Sequence, residues 1–114
     1  MKVLVCGGRN YDARTVLYGV LDGIHRADGI DAVITGMARG ADMLAHDWAV
    51  SQGIVVNPFP ADWETHSRAA GPIRNQQMID QGKPDLVVAF PGGSGTADMV
   101  RRAATAGIKT ILVV

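Results

Sequence analysis

The chain has 114 residues, of which 11 are Lys or Arg and 11 are Asp or Glu, so its formal net charge is zero. This length fits one domain spanning residues 1–114, and hydrophobic residues at 47% supply enough core to fold without disulfides or metal. The composition excludes a disordered chain and the strongly basic surface of a non-specific duplex-DNA binder.

Cysteine usage and hydropathy both indicate a cytoplasmic location. The one cysteine, Cys6, excludes an internal disulfide and a thiolate metal cluster. No apolar run approaches the ~20 residues that a membrane-spanning helix needs, and the opening Met1–Cys6 run breaks at Gly7. We therefore expect a soluble cytoplasmic protein without a membrane partner.

Five short apolar runs predict five buried strands, at Lys2–Cys6, Ala32–Thr35, Ile54–Pro58, Leu86–Phe90 and Thr110–Val114. Apolar residues at helical spacing predict a helix in each of the four connections. The third of these helices is expected from Pro72 to about Gln81, and the fourth from about Thr96. Strict alternation with short linkers predicts right-handed crossovers and a doubly wound, parallel α/β sheet.

The glycines fall into two groups by position. Four follow predicted helices and are expected to cap them in the left-handed conformation: Gly29, Gly53, Gly82 and Gly107. Seven follow strands 1, 2 and 4, and therefore share the carboxyl edge of the sheet: Gly7, Gly8, Gly36, Gly40, Gly92, Gly93 and Gly95. Open α/β folds bind their ligands at that edge.

The loop after strand 2 places Arg39 and Asp42 at this edge. Arg39 presents a planar donor fork that suits phosphate or carboxylate. Asp42 begins the second helix, where it is either a ligand for ribose or substrate or an acid that compensates the helix dipole. His46, one turn further on, is positioned to pair with Asp42. The two residues alone lack the ligands of a metal site, so no metal is predicted.

The loop after strand 3 and the helix that follows it carry further candidates. Trp63 either stacks on a base or caps the core. Arg74 and Asn75 fall in the first turn of the third helix, at the same edge of the sheet. A cation in the first turn lies at the positive end of the helix dipole and is unfavourable there unless an anion neutralises it. Arg74 therefore indicates ligand binding. The alternatives are a solvated side chain or an ion pair with Asp98 or Glu64.

The strongest local signal is Pro91–Thr96, a Pro-Gly-Gly-Ser-Gly-Thr loop between a buried strand and a helix. Glycine lets the backbone approach an anion, and the N–H groups of the helix start, with the Ser94 and Thr96 hydroxyls, suit phosphate oxygens. The alternative is a structural turn with Thr96 as N-cap, which needs one glycine rather than three. Asp98 follows in the first helical turn, placed for polar chemistry or for dipole compensation.

Two common nucleotide motifs do not occur in the sequence. There is no Gly-Lys-Ser/Thr of a Walker loop. Strand 1 ends in Cys6–Arg9 rather than Gly-x-Gly-x-x-Gly, and strand 2 ends in Thr35 and Gly36 where a ribose-binding acid is expected. NAD-linked hydride transfer is therefore disfavoured, and no cofactor is predicted.

Taken together, four ordered segments resemble the SLOG superfamily: Val3–Arg9, Gly36–Asp42, Gly71–Gln76 and Phe90–Asp98. This superfamily joins the DNA-processing Smf/DprA proteins to the LOG-type phosphoribohydrolases, and the chain is most similar to its YspA-type, cpYpsA-related branch. The resemblance implies a Rossmann-like three-layer sandwich with strand order 3-2-1-4-5. It also implies a nucleotide site at the glycine-loop edge and often a homodimer.

Three activities compete within this resemblance. Ligand binding ranks first, because a module that senses, sequesters or processes a nucleotide-derived molecule needs only the loop with Arg9, Arg39 and Arg74. LOG-type phosphoribohydrolases cleave the N-glycosidic bond of nucleoside 5′-monophosphates, and Arg74 and Asp98 would be the catalytic pair. The LOG pattern, however, has glutamate where this chain has Met99. The carboxylate of this chain, Asp98, comes one position earlier, which is about 100° around the helix from the position of that glutamate. Single-stranded DNA binding of the DprA type fits poorly with zero net charge and 5% aromatic residues, so nucleic acid is not an expected partner.

The resulting hypothesis places a phosphate on Gly92–Thr96. Arg39 and Arg74 bind its oxygens or a second phosphate, and Asp42 or Asp98 meets ribose hydroxyls. The predicted ligand-binding residues are Gly7, Gly8, Arg9, Gly36, Arg39, Gly40, Asp42, Asn75, Gly92, Gly93, Ser94, Gly95 and Thr96.

Overall fold

Five parallel strands form the sheet of the protein, in the order β3-β2-β1-β4-β5. The computed structural model describes residues 1–114. Its strands are β1 Lys2–Cys6, β2 Ala32–Thr35, β3 Val55–Pro58, β4 Leu86–Ala89 and β5 Thr110–Leu112. The predicted α/β Rossmann-like fold and its strand order are confirmed. Because β1 pairs with both β2 and β4, the chain changes direction across the sheet at β1, which is where such folds bind ligands.

The protein has five α-helices: α1 Arg14–Asp28, α2 Ala41–Ser51, α3 Trp63–His66, α4 Ala70–Asp80 and α5 Ser94–Thr105. All of them except the short α3 pack on the sheet. The short α3 and the 3-10 turn Ser67–Ala69 that follows it were not predicted from the sequence. Asp62 caps α3 by accepting a hydrogen bond from the Thr65 N–H at 3.1 Å. None of the helices is both long and apolar enough to cross a membrane.

Two apolar clusters pack on opposite faces of the sheet, as the alternating side chains of β1 show. Val3 and Val5 join the cluster under α1 and α2, whereas Leu4 and Cys6 join the cluster under α4 and α5. The second cluster includes Met99, whose side chain is fully buried. The helices on both faces leave the carboxyl edge of the sheet open to the loops.

Three of the four glycines that follow helices have positive φ as expected, Gly29, Gly53 and Gly107. The prediction is wrong for Gly82. The left-handed residue at that point is Lys83, with φ +50°. Glycine is needed at position 82 for a steric reason, because a Cβ there would collide with the Met78 carbonyl oxygen.

Candidate functional site

A cavity of about 600 Å³, the main cavity, opens at the carboxyl edge of the sheet. Eleven of the predicted site residues line it: Gly7, Gly8, Arg9, Asp42, Arg74, Asn75, Gly93, Ser94, Gly95, Thr96 and Asp98. A side cavity of about 210 Å³ adjoins it and includes Gly36 and Arg39. The two cavities share four lining residues: Arg9, Ala38, Trp63 and Arg74. Gly40 and Gly92 line neither cavity.

Gly8 joins the loops of the site through its backbone. Its N–H donates a hydrogen bond to the Pro91 carbonyl at 2.9 Å. Its carbonyl accepts from the N–H of Ala41, at the start of α2, and from the N–H of Tyr11, both at 3.2 Å. One residue of the first loop therefore contacts the beginning of α2 and the loop that precedes α5.

Gly40 and Gly92 allow this close contact between loops. Gly40 has φ +79°, and a Cβ there would collide with the Gly8 carbonyl oxygen. A Cβ on Gly92 would collide with the Thr96 hydroxyl and lie 2.6 Å from the Gly8 nitrogen. The structure thus gives these two predicted ligand-binding glycines a packing role between loops.

The start of α5 carries three backbone donors that have no partner. Gly93 is the N-cap and Thr96 is the third helical residue, so the helix starts two residues earlier than expected and the alternative in which Thr96 caps it is wrong. The first backbone bond of the helix runs from the Ala97 N–H to the Gly93 carbonyl at 3.1 Å. The N–H groups of Ser94, Gly95 and Thr96 precede that bond, and all three residues line the main cavity. Free donors at a helix start favour an anion.

Asp98 lies in the second turn of α5, not in the first as expected, because the helix starts earlier than predicted. Its carboxylate accepts hydrogen bonds from Arg102 Nε at 2.8 Å, Asn75 Nδ2 at 3.0 Å and Arg101 Nη2 at 3.1 Å. Partial burial acts to raise the pKa of Asp98, but these hydrogen bonds and the two arginine charges outweigh it and lower that pKa. Asp98 is therefore held as an ionised carboxylate.

Arg74 and Asn75 lie in the second turn of α4, not in the first as expected, because the helix starts at Ala70 rather than Pro72. The side chain of Arg74 reaches from there to the loop that follows β2. Its Nη1 donates to the Gly36 carbonyl at 2.7 Å, and its Nε donates to Asn75 Oδ1 at 3.1 Å. It forms no ion pair with Asp98 or Glu64, the two partners considered from the sequence. Asn75 instead links the two residues, since its Nδ2 donates to Asp98. Both hydrogen-bond partners of Arg74 are neutral, and the nearby carboxylate of Asp42 acts on its charge without forming an ion pair with it.

Asp42 is buried beside the main cavity, with 7% of its surface exposed. Its Oδ2 accepts from the Ala38 N–H at 3.2 Å. The expected contact with His46 does not form, because His46 Nδ1 lies 3.1 Å from Asp47 Oδ1 instead. Burial raises the pKa of Asp42 to about 6, although the Ala38 hydrogen bond and the charge of Arg74 act in the opposite direction.

We expect Asp42→Asn to stabilise the protein at pH 8. The folded-state pKa of about 6 exceeds the ordinary value of 3.8, so folding penalises the ionised carboxylate. Asparagine keeps an acceptor for Ala38 and avoids that penalty, a gain of roughly 1–3 kcal/mol in the free energy of unfolding. The gain should shrink as the pH falls through 6 and vanish near 4, where folded Asp42 is protonated. Urea unfolding at both pH values measures it, and a gain independent of pH would mean that charge is not the cause.

Trp63 is half-exposed and belongs to neither core cluster, so it does not cap the core. It lines both cavities, and the guanidinium carbon of Arg9 lies 5.4 Å from its ring centroid. This distance is within the range of a cation–π contact. Trp63 therefore lies at the candidate site and not in the core.

Sequence reasoning missed two arginines of the main cavity. Arg101 lies three residues after Asp98, and helical spacing alone could have placed it beside that carboxylate. Arg68 lies in the unpredicted 3-10 turn and had no such signal.

Cys6 also lines the main cavity. Burial and, to a lesser extent, the nearby charge of Asp42 raise the pKa of its thiol to about 12. No group of three or more metal-ligating His, Cys, Asp or Glu side chains lies together.

Comparison with protein families identifies the chain. A sequence model described as YspA, cpYpsA-related SLOG family matches residues 1–66, more than half of the chain. The chain belongs to this family. The gene 61 protein of Mycobacterium phage D29 is 40% identical over 118 aligned residues, which cover 96% of this chain and 94% of the relative. The SLOG assignment suggests a nucleotide-related function, and the name of the phage relative states no activity.

The matched range of this SLOG protein ends before α4 and α5. It includes Gly7–Arg9 and Gly36–Asp42, but Arg74 and Pro91–Thr96 lie outside it. The structure brings the later segments to the same cavity as the earlier ones. Met99, which stands where the LOG pattern has glutamate, packs in the core and does not line the main cavity. The carboxylates that do line it are Asp42 and Asp98.

Proposed function

We propose that this SLOG protein binds a nucleotide or nucleotide-derived ligand with a phosphate at the start of α5, and that it senses, sequesters or processes that ligand. The observation that carries the proposal is the row of free N–H groups at Ser94–Thr96, which opens into a cavity lined by four arginines: Arg9, Arg68, Arg74 and Arg101. Donors and positive charge together favour a phosphate over a neutral group.

The space around the helix start supports this placement. Apart from the adjoining residues and the backbone of α5 itself, no heavy atom lies within 4 Å of the Cβ position of Gly93 or of Gly95. A phosphate can therefore approach the backbone at this loop, where the hydroxyls of Ser94 and Thr96 add donors. The main cavity, at about 600 Å³, is within the usual volume of small-molecule sites.

The remaining polar groups suit the sugar and the base. Asp98 is ionised and lies four residues beyond Ser94 on α5, and Asp42 lines the same cavity. Carboxylates accept hydrogen bonds from ribose hydroxyls. Trp63 adds an aromatic surface at the edge of the cavity for stacking on a planar base.

The two alternative activities stay predictions. N-glycosidic hydrolysis would use Arg74 and Asp98, but three donors already occupy the Asp98 carboxylate, so it suits charge stabilisation better than proton transfer. Single-stranded DNA binding needs several stacking aromatics along a basic groove, and Trp63 supplies one. Ligand binding needs neither feature, and it therefore ranks first.

A thermal-shift panel tests the proposal. The purified protein is heated with nucleoside monophosphates, ADP-ribose, cyclic nucleotides or a single-stranded oligonucleotide. A ligand present at about a hundred times its Kd should add ~2.7 kcal/mol to the free energy of unfolding and raise Tm by several degrees. Stabilisation by the oligonucleotide alone would favour DNA binding, and release of free base would favour hydrolysis. A panel without any shift would contradict the proposal.

We expect Gly93→Val to weaken nucleotide binding about tenfold without unfolding the protein. Gly93 has φ −99° and ψ −143°, outside the left-handed region that excludes valine, and its Cβ position is open, so the added side chain meets no atom of another part of the protein. The branched side chain would crowd the phosphate position beside the Ser94 and Gly95 N–H groups. Calorimetric titration measures the loss, with urea unfolding as the control, since a poorer N-cap costs only about 1 kcal/mol. Unchanged affinity would mean that the phosphate binds elsewhere.

A further inference from the structure

The side cavity contains three arginines and no carboxylate. Arg9, Arg39 and Arg74 line it, together with Gly36, Met37, Ala38, Pro60, Ala61 and Trp63. The carboxylate whose charge acts on Arg9 and Arg74 is Asp42, which lines the main cavity and forms an ion pair with neither, and Arg39 has no anionic partner. The main cavity differs, because Asp42 and Asp98 accompany its arginines.

None of the three arginines forms an ion pair. The ion pairs of the protein join Met1 to Asp31, Arg14 to Asp47, and Arg101 and Arg102 to Asp98. Within the side cavity, the side chain of Arg9 contacts the Trp63 ring, and Arg74 bonds two neutral oxygens. Arg39 is exposed and forms no side-chain hydrogen bond.

The charges also act on one another. Burial lowers the pKa of Arg74, the charge of Asp42 raises it, and the positive charge of Arg9 lowers it further. Repulsion of this kind is relieved when an anion binds between the like charges. Arginine guanidinium groups bind phosphate through paired donors, so a phosphate is the anion that fits them best.

We propose that the side cavity binds a second phosphate of the same ligand, so that the protein selects nucleotides with two phosphate groups. One phosphate lies at the start of α5 and the other lies among Arg9, Arg39 and Arg74. The two cavities share Arg9, Trp63 and Arg74, so one ligand reaches both of them. This inference rests on the proposed function, since it extends the site at α5.

Calorimetric titration of the full chain compares three adenine nucleotides: the 5′-monophosphate, the 5′-diphosphate and the 3′,5′-bisphosphate. We expect at least one of the two doubly phosphorylated ligands to bind tenfold or more tightly than the monophosphate. Arg39→Gln should reduce that ratio toward one. Arg26→Gln is the matched control, because Arg26 is an exposed arginine without an ion pair in the last turn of α1, and it should leave the ratio unchanged.

The outcomes separate this inference from the proposed function. Equal affinity for all three nucleotides, or an affinity ratio that survives Arg39→Gln, would overturn the inference and leave nucleotide binding intact. If no nucleotide binds, titration with inorganic pyrophosphate, monitored by Trp63 fluorescence, decides the remaining case. An Arg39-dependent response would then support the second anion site while the nucleotide function fails, and no response would overturn both. Trp63→Phe confirms the source of the signal, since Trp48 is fully buried.

Discussion

Gly40→Ala should lower the free energy of unfolding by roughly 3–5 kcal/mol, a large part of the stability of a small domain. Gly40 has φ +79° and ψ −128°, a conformation that costs alanine strain. The added Cβ would also collide with the Gly8 carbonyl oxygen and lie 2.7 Å from the Arg9 carbonyl carbon. These are backbone atoms, and moving them breaks the Gly8–Ala41 hydrogen bond.

Gly29→Ala is the control that separates the two causes of the expected loss of stability, backbone strain at positive φ and collision of the added Cβ. Gly29 has φ +76°, but no heavy atom lies within 4 Å of its Cβ position. Its replacement therefore costs only the conformational strain, about 1–3 kcal/mol. Urea unfolding of both variants measures the difference, which we assign to the contact between the loops. If Gly40→Ala costs no more than Gly29→Ala, then the loops separate easily and the crowding argument is wrong.

Gly36→Ala should weaken nucleotide binding by about 10–100-fold while the protein stays folded. A Cβ on Gly36 would collide with Arg74 Nη1 and lie 2.8 Å from Arg74 Cζ. The guanidinium is the flexible end of its side chain, so it moves away and loses its bond to the Gly36 carbonyl. The loss of stability should not exceed about 1.5–3 kcal/mol, the scale of one hydrogen bond to a charged group.

A double-mutant cycle with Arg74→Ala tests that cause. If Gly36→Ala acts by displacing Arg74, then it should have almost no effect on affinity once Arg74 is alanine. Calorimetric titration with the tightest nucleotide of the panel gives the four Kd values. Independent losses that add in full would show that Gly36 acts on the ligand directly, and that Arg74 is not the intermediary.

Central strands could be predicted from the sequence more closely than edge strands. β1 and β2 have the predicted bounds, because strands buried on both faces read as continuous apolar runs, and the central strand β4 ends one residue earlier than predicted, at Ala89. β3 and β5 are edge strands and end up shorter than predicted, with Val55 and Leu112 more than half exposed. The short α3 buries no residue, so it has no apolar stripe that a sequence pattern could reveal.

The edge that holds the candidate site was predictable, but its side-chain contacts were not. Glycines and polar residues that follow parallel strands must share one edge, and this rule placed Arg39 and Arg74 near each other. The bond from Arg74 to the Gly36 carbonyl joins residues 38 positions apart and depends on how α4 packs. The helix start at Ser94 was missed as well, since Thr96 offered a side-chain cap that the structure does not use.

The backbone bonds of Gly8 have a consequence for motion at the site. Opening any one of the connected loops strains bonds to the others, so the loops should fluctuate as one cooperative unit. The Gly8 amide, although it lies outside any helix or strand, should then exchange its hydrogen with solvent about as slowly as amides of the sheet. If the loops are already ordered in this way, a nucleotide that binds between them immobilises little additional backbone. Its binding should therefore carry a small conformational entropy cost.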